Sequence, residues 1–331
     1  MVQRTKLTRR LFGGLAVVAV MALVAVGCGS NDDSSSDTTA NADGTAGAFT
    51  DLDLSKVSLT IGSKDFTENQ LVAEMLAQSV EAGGGKVDRK INLGGTNVNR
   101  DALMAGEIDV YPDYNGTGWT VHLGHDDPSS DPEELFRKTA DEDLAKNKIH
   151  WLGRSAFNNT YGFATGPALT KEHGGGFTLQ EMADYLGENP DAKVCMEPEF
   201  PDRPDGLVLF KEATNFEIPA GQRNVMDSGI IYNETAKGEC AFGEVFTTDG
   251  RIPELDLTVV DDGGAFILYN VSYTMTDEAY QQAPEALDEI AEKILSDLDA
   301  DTMAELNRSV DVDGKSLQSV AQGYLTKNGL V

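Results

Sequence analysis

The chain has few of the residues on which most enzyme active sites depend. Its 331 residues include four histidines, three cysteines and two tryptophans. No G-x-S-x-G elbow, H-E-x-x-H helix or glycine-rich nucleotide fingerprint occurs in it. These absences argue against an enzyme, and no cofactor is predicted. His122 and His125, with Asp126 and Asp127 nearby, could bind a metal, but histidines three apart in a polar loop are more often solvated.

Basic residues are scarce as well. Lysine and arginine number 26 against 55 aspartates and glutamates, which gives a formal net charge of −29 at pH 7. Proteins that bind nucleic acid meet its phosphates with clustered lysine and arginine. The composition therefore excludes nucleic acid as a partner. An acidic surface of this kind keeps a protein soluble and attracts small cations.

Long apolar runs are absent except near the N-terminus. Residues 4–10 are basic, and the apolar run over residues 11–27 has the length of a signal-peptide core, since a membrane-spanning helix needs about 20 apolar residues. Residues 8–12 (Thr-Arg-Arg-Leu-Phe) resemble a twin-arginine export signal, and the general secretory route is the alternative. We predict a signal peptide over residues 1–28; an uncleaved membrane anchor is the alternative.

The cysteines fit an extracytoplasmic protein. Residues 25–28 (Ala-Val-Gly-Cys) resemble a lipobox, so Cys28 is the predicted lipidation site, which would anchor the chain to the outer face of the cell membrane. Residues 29–55 are rich in serine, aspartate and threonine and contain almost nothing to bury, which predicts a disordered tether. Cys195 and Cys240 remain, each in a short apolar run, and a disulfide between them is plausible in an oxidising compartment.

From residue 57 onward strands and helices alternate, which predicts a largely parallel, layered α/β fold. Thr67 and Gln70 have capping-box spacing at the start of the first helix. Asp131 and Thr178 are predicted to begin two later helices. The predicted strands are 57–62, 87–93, 108–110, 149–152, 160–165, 193–196, 240–246, 257–260 and 271–274. Three helices, over residues 284–298, 301–310 and 316–327, end the chain.

The strand over residues 108–110 leads into a predicted loop rich in aromatic, hydroxyl and glycine residues. Open α/β folds bind ligands at the carboxyl ends of their strands. There Tyr114 offers a ring face and Thr117 a hydroxyl group. Lys64 lies in the turn before a helix N-terminus, where a cation does nothing for the helix dipole and suits an anion better; a solvated lysine is the alternative. The pattern predicts a cleft with aromatic walls and cations.

Several blocks, at matching spacing, resemble one family. They are residues 62–68 (GSKDFTE), 93–96 (LGGT), 106–117 (GEIDVYPDYNGT), 199–206 (EFPDRPDG), 246–252 (FTTDGRI) and 261–269. The chain resembles, from residue 57 to its C-terminus, the substrate-binding lipoproteins of ABC importers for glycine betaine, choline, carnitine and related osmoprotectants.

The resemblance implies a two-lobed type II periplasmic-binding fold with two hinge crossings. Lobe 1 would comprise residues 57–158 plus 271–331, and lobe 2 residues 159–270. A monomer would capture a quaternary ammonium compound between the lobes and deliver it to a membrane permease. Because a quaternary ammonium has no N–H to donate, ring faces select it through cation–π attraction. The same fold binding an amino acid or polyamine is the main alternative, and a surface metal-binding protein is a weaker one.

The resemblance also assigns residues. The four that enclose the trimethylammonium group would be Tyr114, Tyr161, Phe246 and Tyr269, and those that hold a ligand carboxylate would be Lys64, Thr117 and Arg203. This chain departs from the family pattern at four positions. Phe246 stands where tyrosine is usual, Asp65 replaces asparagine, and Asp113 and Asn115 replace glutamate and threonine.

Overall fold

The computed structural model describes residues 47–331. The predicted signal peptide, Cys28 and most of the predicted tether lie outside these residues. Within them, no helix is both long enough and apolar enough to cross a membrane.

The described residues contain ten strands in two five-stranded sheets. The strands are β1 (Ser58–Lys64), β2 (Lys86–Gly94), β3 (Val110–Tyr114), β4 (Ile149–Leu152), β5 (Tyr161–Thr165), β6 (Val194–Met196), β7 (Arg223–Val225), β8 (Phe242–Phe246), β9 (Thr258–Val259) and β10 (Val271–Thr276).

The helices cover the sheets. They are α1 (Thr67–Ala82), α2 (Thr96–Met104), α3 (Asn115–Thr117), α4 (Pro132–Asn147), α5 (Pro167–His173), α6 (Leu179–Glu188), α7 (Leu207–Thr214), α8 (Ser228–Lys237), α9 (Arg251–Glu254), α10 (Asp277–Tyr280), α11 (Pro284–Leu295), α12 (Ala300–Asp311) and α13 (Leu317–Lys327). A π-helical turn (Gly118–His122) follows α3, and a 3-10 turn (Ala220–Gln222) precedes β7.

The strand order is β2-β1-β3-β10-β4 in the first sheet and β7-β6-β8-β5-β9 in the second. β1 is parallel to β2 and β3, whereas β10 is antiparallel to both β3 and β4. In the second sheet β6 is parallel to β7 and β8, whereas β5 is antiparallel to β8 and β9. The sheets are therefore mixed, and only part of each has the parallel pairing that the alternation of elements predicts.

The chain passes between the two sheets twice, through residues 153–160 and 260–270. The two crossings lie side by side. The backbone N–H of Asn159 donates to the carbonyl of Tyr269 (3.1 Å), and the Asn270 side chain donates to the carbonyls of Ser155 and Phe157 (3.1 and 2.7 Å). This is the predicted two-lobed α/β architecture with two crossings.

Helix starts follow their local sequence signals in two of three predicted places. Asp131 accepts a hydrogen bond from the backbone N–H of Glu134 at the start of α4, and Thr178 forms a full capping box with Glu181 before α6. The capping box predicted at Thr67 is wrong. Phe66 is the N-cap of α1, and its phenyl ring has no acceptor for a cap hydrogen bond. Thr67 lies inside the helix, and its hydroxyl donates to Asp311 in α12.

The predicted tether is too long at its C-terminal end. Residues 47–55 are packed against the folded body, and Phe49 and Leu54 are fully buried. The backbone N–H groups of Ala48 and Phe49 donate to the carbonyls of Gly329 and Leu330 (3.0 and 2.8 Å). Two apolar side chains thus hold a segment whose average composition is polar.

Cys195 in β6 and Cys240 just before β8 form a disulfide, with their Cα atoms 5.8 Å apart. β6 and β8 are neighbouring parallel strands, so the bond joins two elements that already pair. The disulfide that the sequence made plausible is present in the structure.

Candidate functional site

A cavity of about 360 Å³ lies at the strand ends that face the space between the sheets. Its wall draws on both sheets and on both crossings. This volume lies within the range of about 300–1,000 Å³ that is usual for small-molecule sites. The residues of the wall are Lys64, Asp65, Phe66, Gly95, Thr96, Tyr114, Thr117, Asn159, Tyr161, Glu197, Pro198, Glu199, Asp227, Ser228, Phe246 and Tyr269.

Five aromatic side chains in this wall form a closed circuit, which we call the ring cluster. Its members are Phe66, Tyr114, Tyr269, Tyr161 and Phe246. Taken in that order around the circuit, the distances between neighbouring ring centroids are 6.1, 6.4, 5.3, 5.5 and 4.9 Å. All four aromatic residues predicted from the resemblance therefore lie together.

The fold places each ring for a local reason. Tyr114 ends β3, and Tyr161 and Phe246 are paired residues at the ends of the antiparallel strands β5 and β8. Tyr269 lies on the second crossing, where its backbone N–H donates to the side chain of Asn158 (2.6 Å). The cluster thus combines both sheets with a crossing. The loop predicted directly after Val110 is wrong, because residues 111–114 continue β3.

Phe66 is the member that the sequence analysis missed. It lies between β1 and α1, and its ring centroid is 4.9 Å from that of Phe246 on the other sheet. The signal was present in the sequence, because Phe66 belongs to the same block as Lys64. Nothing in the block alone shows that this ring reaches across to the second sheet.

Lys64 lines the cavity but is already paired. Its Nζ atom lies 2.8 Å from Asp113 Oδ1 and 3.2 Å from Thr96 Oγ1, and 5.3 Å from the centroid of the Tyr114 ring. Burial alone would raise the pKa of Asp113, but Lys64 and His122 hold it well below its usual range. The aspartate is therefore charged and balances the lysine.

Arg203 lies beside the cavity and is not part of its wall. Its guanidinium forms a two-pronged ion pair with Asp205 (2.8 Å for both contacts). The remaining donors reach across to the hydroxyls of Thr96 and Thr117 (2.9 and 3.2 Å). Arg203 thus joins the second sheet to the first, and its donors are occupied by protein groups.

Four carboxylates also belong to the wall, against the single lysine. Asp65 and Asp227 are exposed, and Glu197 and Glu199 are half-buried. The Glu199 carboxylate accepts from the backbone N–H of Thr96 (2.9 Å) and lies so close to Gly95 that a Cβ there would be 2.1 Å from Glu199 Oε1. Burial and the carboxylates of Glu199 and Asp65 raise the pKa of Glu197 to about 7. The cavity therefore favours a positively charged group.

His122 and His125 do not converge on one point. His122 Nε2 lies 2.7 Å from Asp113, whereas His125 stacks on Trp119 and contacts Glu142 (2.9 Å). Among residues 47–331 no group of three or more histidine, cysteine, aspartate or glutamate side chains is arranged to hold a metal ion.

Comparison with known proteins gives one family. Residues 57–327 match the sequence profile described as the substrate binding domain of the ABC-type glycine betaine transport system. Because that family consists of substrate-binding domains, the match agrees with the argument against an enzyme.

Individual relatives cover most of the chain. The glycine-betaine-binding protein of Pseudomonas aeruginosa is 31% identical over 281 residues, which are 83% of this chain and 89% of that protein. An ergothioneine transport permease/ergothioneine binding protein of Helicobacter pylori is 29% identical over 274 residues, which are 82% of this chain and 48% of that protein. A crystal structure of a glycine betaine/carnitine/choline ABC transporter shares 27% identity at a TM-score of 0.65, covering 82% of this chain and 99% of that one.

Proposed function

The chain belongs to the family of substrate-binding domains of ABC-type glycine betaine transport systems, and from this premise we propose that it captures a quaternary ammonium compound in the ring cluster and delivers it to an ABC permease. The observation that carries the proposal is the closed circuit of five rings, in a cavity whose other charged wall residues are four carboxylates and one lysine.

The geometry suits a trimethylammonium group. Neighbouring ring centroids are 4.9 to 6.4 Å apart. A regular pentagon of that size has its corners about 5 Å from its centre, which is within the roughly 6 Å over which a ring face attracts a cation. Each such contact contributes about 0.5–2 kcal/mol. Five of them can approach the roughly 8 kcal/mol that corresponds to a micromolar dissociation constant.

The other predicted residues take supporting roles in this proposal. Lys64 and Thr117 line the cavity beside the rings, where they meet the part of the ligand that extends from the ammonium group. Arg203 holds Thr96 and Thr117 in place from the second sheet, rather than gripping the ligand directly. The two lobes close around the ligand because it contacts both.

We place the protein on the outer face of the cell membrane as a monomer. The proposal for its attachment rests on the sequence alone, with a signal peptide over residues 1–28, lipid on Cys28 and a tether from residue 29 to the start of the folded body. A tether of this composition lets the binding domain reorient toward a permease.

Calorimetric titration tests the function. The full chain, purified in a non-ionic detergent, is titrated with glycine betaine, choline, carnitine, ergothioneine and arginine. We expect at least one of the four quaternary ammonium compounds to bind with a dissociation constant of about 10 μM or below, and arginine to bind much more weakly. Preferential binding of arginine would favour the amino-acid alternative, and a folded protein that binds none of the five would contradict the proposal.

A further inference from the structure

Glu68 is a buried carboxylate that has no role in the proposed binding of a cation. It is the second residue of α1 and is 2% exposed. No lysine, arginine or histidine among the described residues forms an ion pair with it. A charged group in such a place is costly unless hydrogen bonds satisfy it. The groups that satisfy it therefore indicate what it does.

Four side chains from four parts of the chain donate hydrogen bonds to Glu68. Oε1 accepts from the Tyr114 hydroxyl (2.7 Å) and from the Asn159 amide (2.8 Å). Oε2 accepts from the Thr248 hydroxyl and, at 3.4 Å, from the Asn307 amide. Burial raises the pKa of Glu68, and these four hydrogen bonds oppose that rise by favouring the charged form.

The four donors lie on both sides of the cleft. Tyr114 ends β3 and Asn307 is in α12, both with the first sheet, whereas Thr248 follows β8 of the second sheet. Asn159 lies on the first crossing. Thr248 is held further by its backbone, since its N–H donates to Asn159 (3.3 Å) and its carbonyl accepts from Asn307 (3.0 Å). The network is complete only when the second sheet is in the position seen here.

The two carboxylate oxygens of Glu68 bind donors from different lobes. Oε1 fixes the hydroxyl of Tyr114, a member of the ring cluster, and Oε2 fixes Thr248 of the second lobe. If the second lobe moves away, the buried carboxylate loses a hydroxyl donor, and a carboxylate that fewer donors hold is oriented less firmly toward the donors that remain. The position of the Tyr114 ring and the position of the second lobe are therefore linked through one side chain.

We infer that Glu68 is a positioning residue that couples closure of the second lobe to the orientation of the Tyr114 ring, so that the ring cluster is completed by closure. The inference rests on the proposed function, because it assigns a role to Tyr114 in binding. It predicts that Tyr114 and Thr248, whose side chains share no hydrogen bond, act on ligand release together.

A double-mutant cycle tests this coupling. Tyr114→Phe keeps the ring face and Thr248→Val keeps the shape, and each removes one hydroxyl that donates to Glu68. The association and dissociation rates of glycine betaine are measured by stopped flow for the native chain, both single variants and the double variant. Tyr280→Phe and Thr214→Val serve as matched controls, because their hydroxyls bond to Asp288 and to the Phe210 carbonyl, away from Glu68.

Each single variant is expected to raise the dissociation rate about tenfold while leaving the association rate nearly unchanged. Thr248→Val removes a hydrogen bond to Glu68 that joins the two lobes only when they are closed, and Tyr114→Phe frees the Glu68 carboxylate and the Tyr114 ring that this contact holds in line. The double variant should release ligand at least threefold more slowly than the product of the single effects predicts. In a Glu68→Gln background this coupling should disappear. The controls should lower thermal stability without changing either rate.

Independent, multiplicative effects of the two substitutions would overturn the inference, as would a Glu68→Gln variant with native rates. If the Glu68→Gln variant does not fold, the double-mutant cycle in the native Glu68 background still tests whether the two hydroxyls are coupled. Failure of the proposed function has a different signature, since the native chain would then bind no quaternary ammonium compound at all.

Discussion

Phe66 and Tyr114 illustrate how single residues at strand ends make the site. Tyr114 is the last residue of β3 and Phe66 follows β1, both in the first sheet. The Phe66 ring lies against Phe246 of the second sheet, with their centroids 4.9 Å apart. The face of a ring, rather than a hydroxyl, carries the attraction for a cation. Phe246, which stands where the family has tyrosine, can therefore also attract a cation through its ring face.

Phe66→Ala should weaken binding of glycine betaine about tenfold, because one ring face of the cluster is lost. Calorimetry of the variant measures this effect. Phe216→Ala is the matched control, since Phe216 is also partly buried but lies outside the cavity wall. Equal affinities of the native chain and the Phe66→Ala variant for glycine betaine would show that Phe66 does not contribute to binding.

Asp65→Asn should change the choice between ligands. Asp65 is an exposed member of the cavity wall, and it stands where the family has asparagine. Its charge favours a cation such as choline over a zwitterion whose carboxylate it repels. The variant should raise the affinity for glycine betaine relative to that for choline about threefold. The effect is modest because solvent screens the charge. Glu212→Gln, which removes an exposed charge elsewhere, should leave the ratio of the two dissociation constants unchanged, and an unchanged ratio in Asp65→Asn would refute the prediction.

Binding should also depend on pH through Glu197, whose pKa is raised to about 7. The groups that face it are Asp65, Glu199, Arg203 and Glu244. A bound cation stabilises the charged carboxylate, so binding below pH 7 releases a proton. The affinity for choline should therefore rise about threefold from pH 6 to pH 8 and then level off. Glu197→Gln should flatten this profile, and an affinity that falls with pH would contradict the assignment.

At the scale of elements, the structure follows the sequence where the signal is local. Most of the predicted strands and the starts of α4 and α6 agree, because alternation and capping act over a few residues. The short strand β7 is missing from the prediction, and the strand predicted over residues 108–110 shares only Val110 with β3. β3 is longer than predicted. The prediction ended the strand early because Pro112 and the glycines after it are typical of a loop, yet Pro112 pairs with Tyr273 inside the sheet. The Thr67 hydroxyl bonds to Asp311, a partner 244 positions away that no local pattern reveals.

The disulfide between Cys195 and Cys240 should stabilise the second lobe. It closes a loop of 45 residues, for which loop entropy predicts about 4 kcal/mol. The Cys195→Ser, Cys240→Ser double variant should unfold at a clearly lower temperature than the oxidised native chain. Calorimetric melting, with the reduced native chain as the control, measures the difference. Identical melting of all three samples would show that the bond contributes nothing.

At the scale of the whole molecule, the resemblance carried the most information. It implied the two-lobed architecture and named four of the five clustered rings. It did not show that Lys64 and Arg203 are already paired with Asp113 and Asp205, because those pairs depend on how distant elements meet. Hydrogen bonds from Arg203 to Thr96, from Thr120 to Asp205 and from Thr248 to Glu68 connect the two lobes around the cavity. Polar contacts at the edges of an aromatic site thus hold the two lobes in the arrangement seen here.

The most direct test of the account compares glycine betaine with 3,3-dimethylbutanoate, in which carbon replaces the charged nitrogen. The two compounds have the same shape and the same carboxylate, so any difference in affinity comes from the cation. Calorimetry of the full chain should show glycine betaine binding at least about 100-fold more tightly, as several cation–π contacts imply. Equal affinities would mean that the rings form an apolar pocket, and the proposed recognition of a quaternary ammonium group would be wrong.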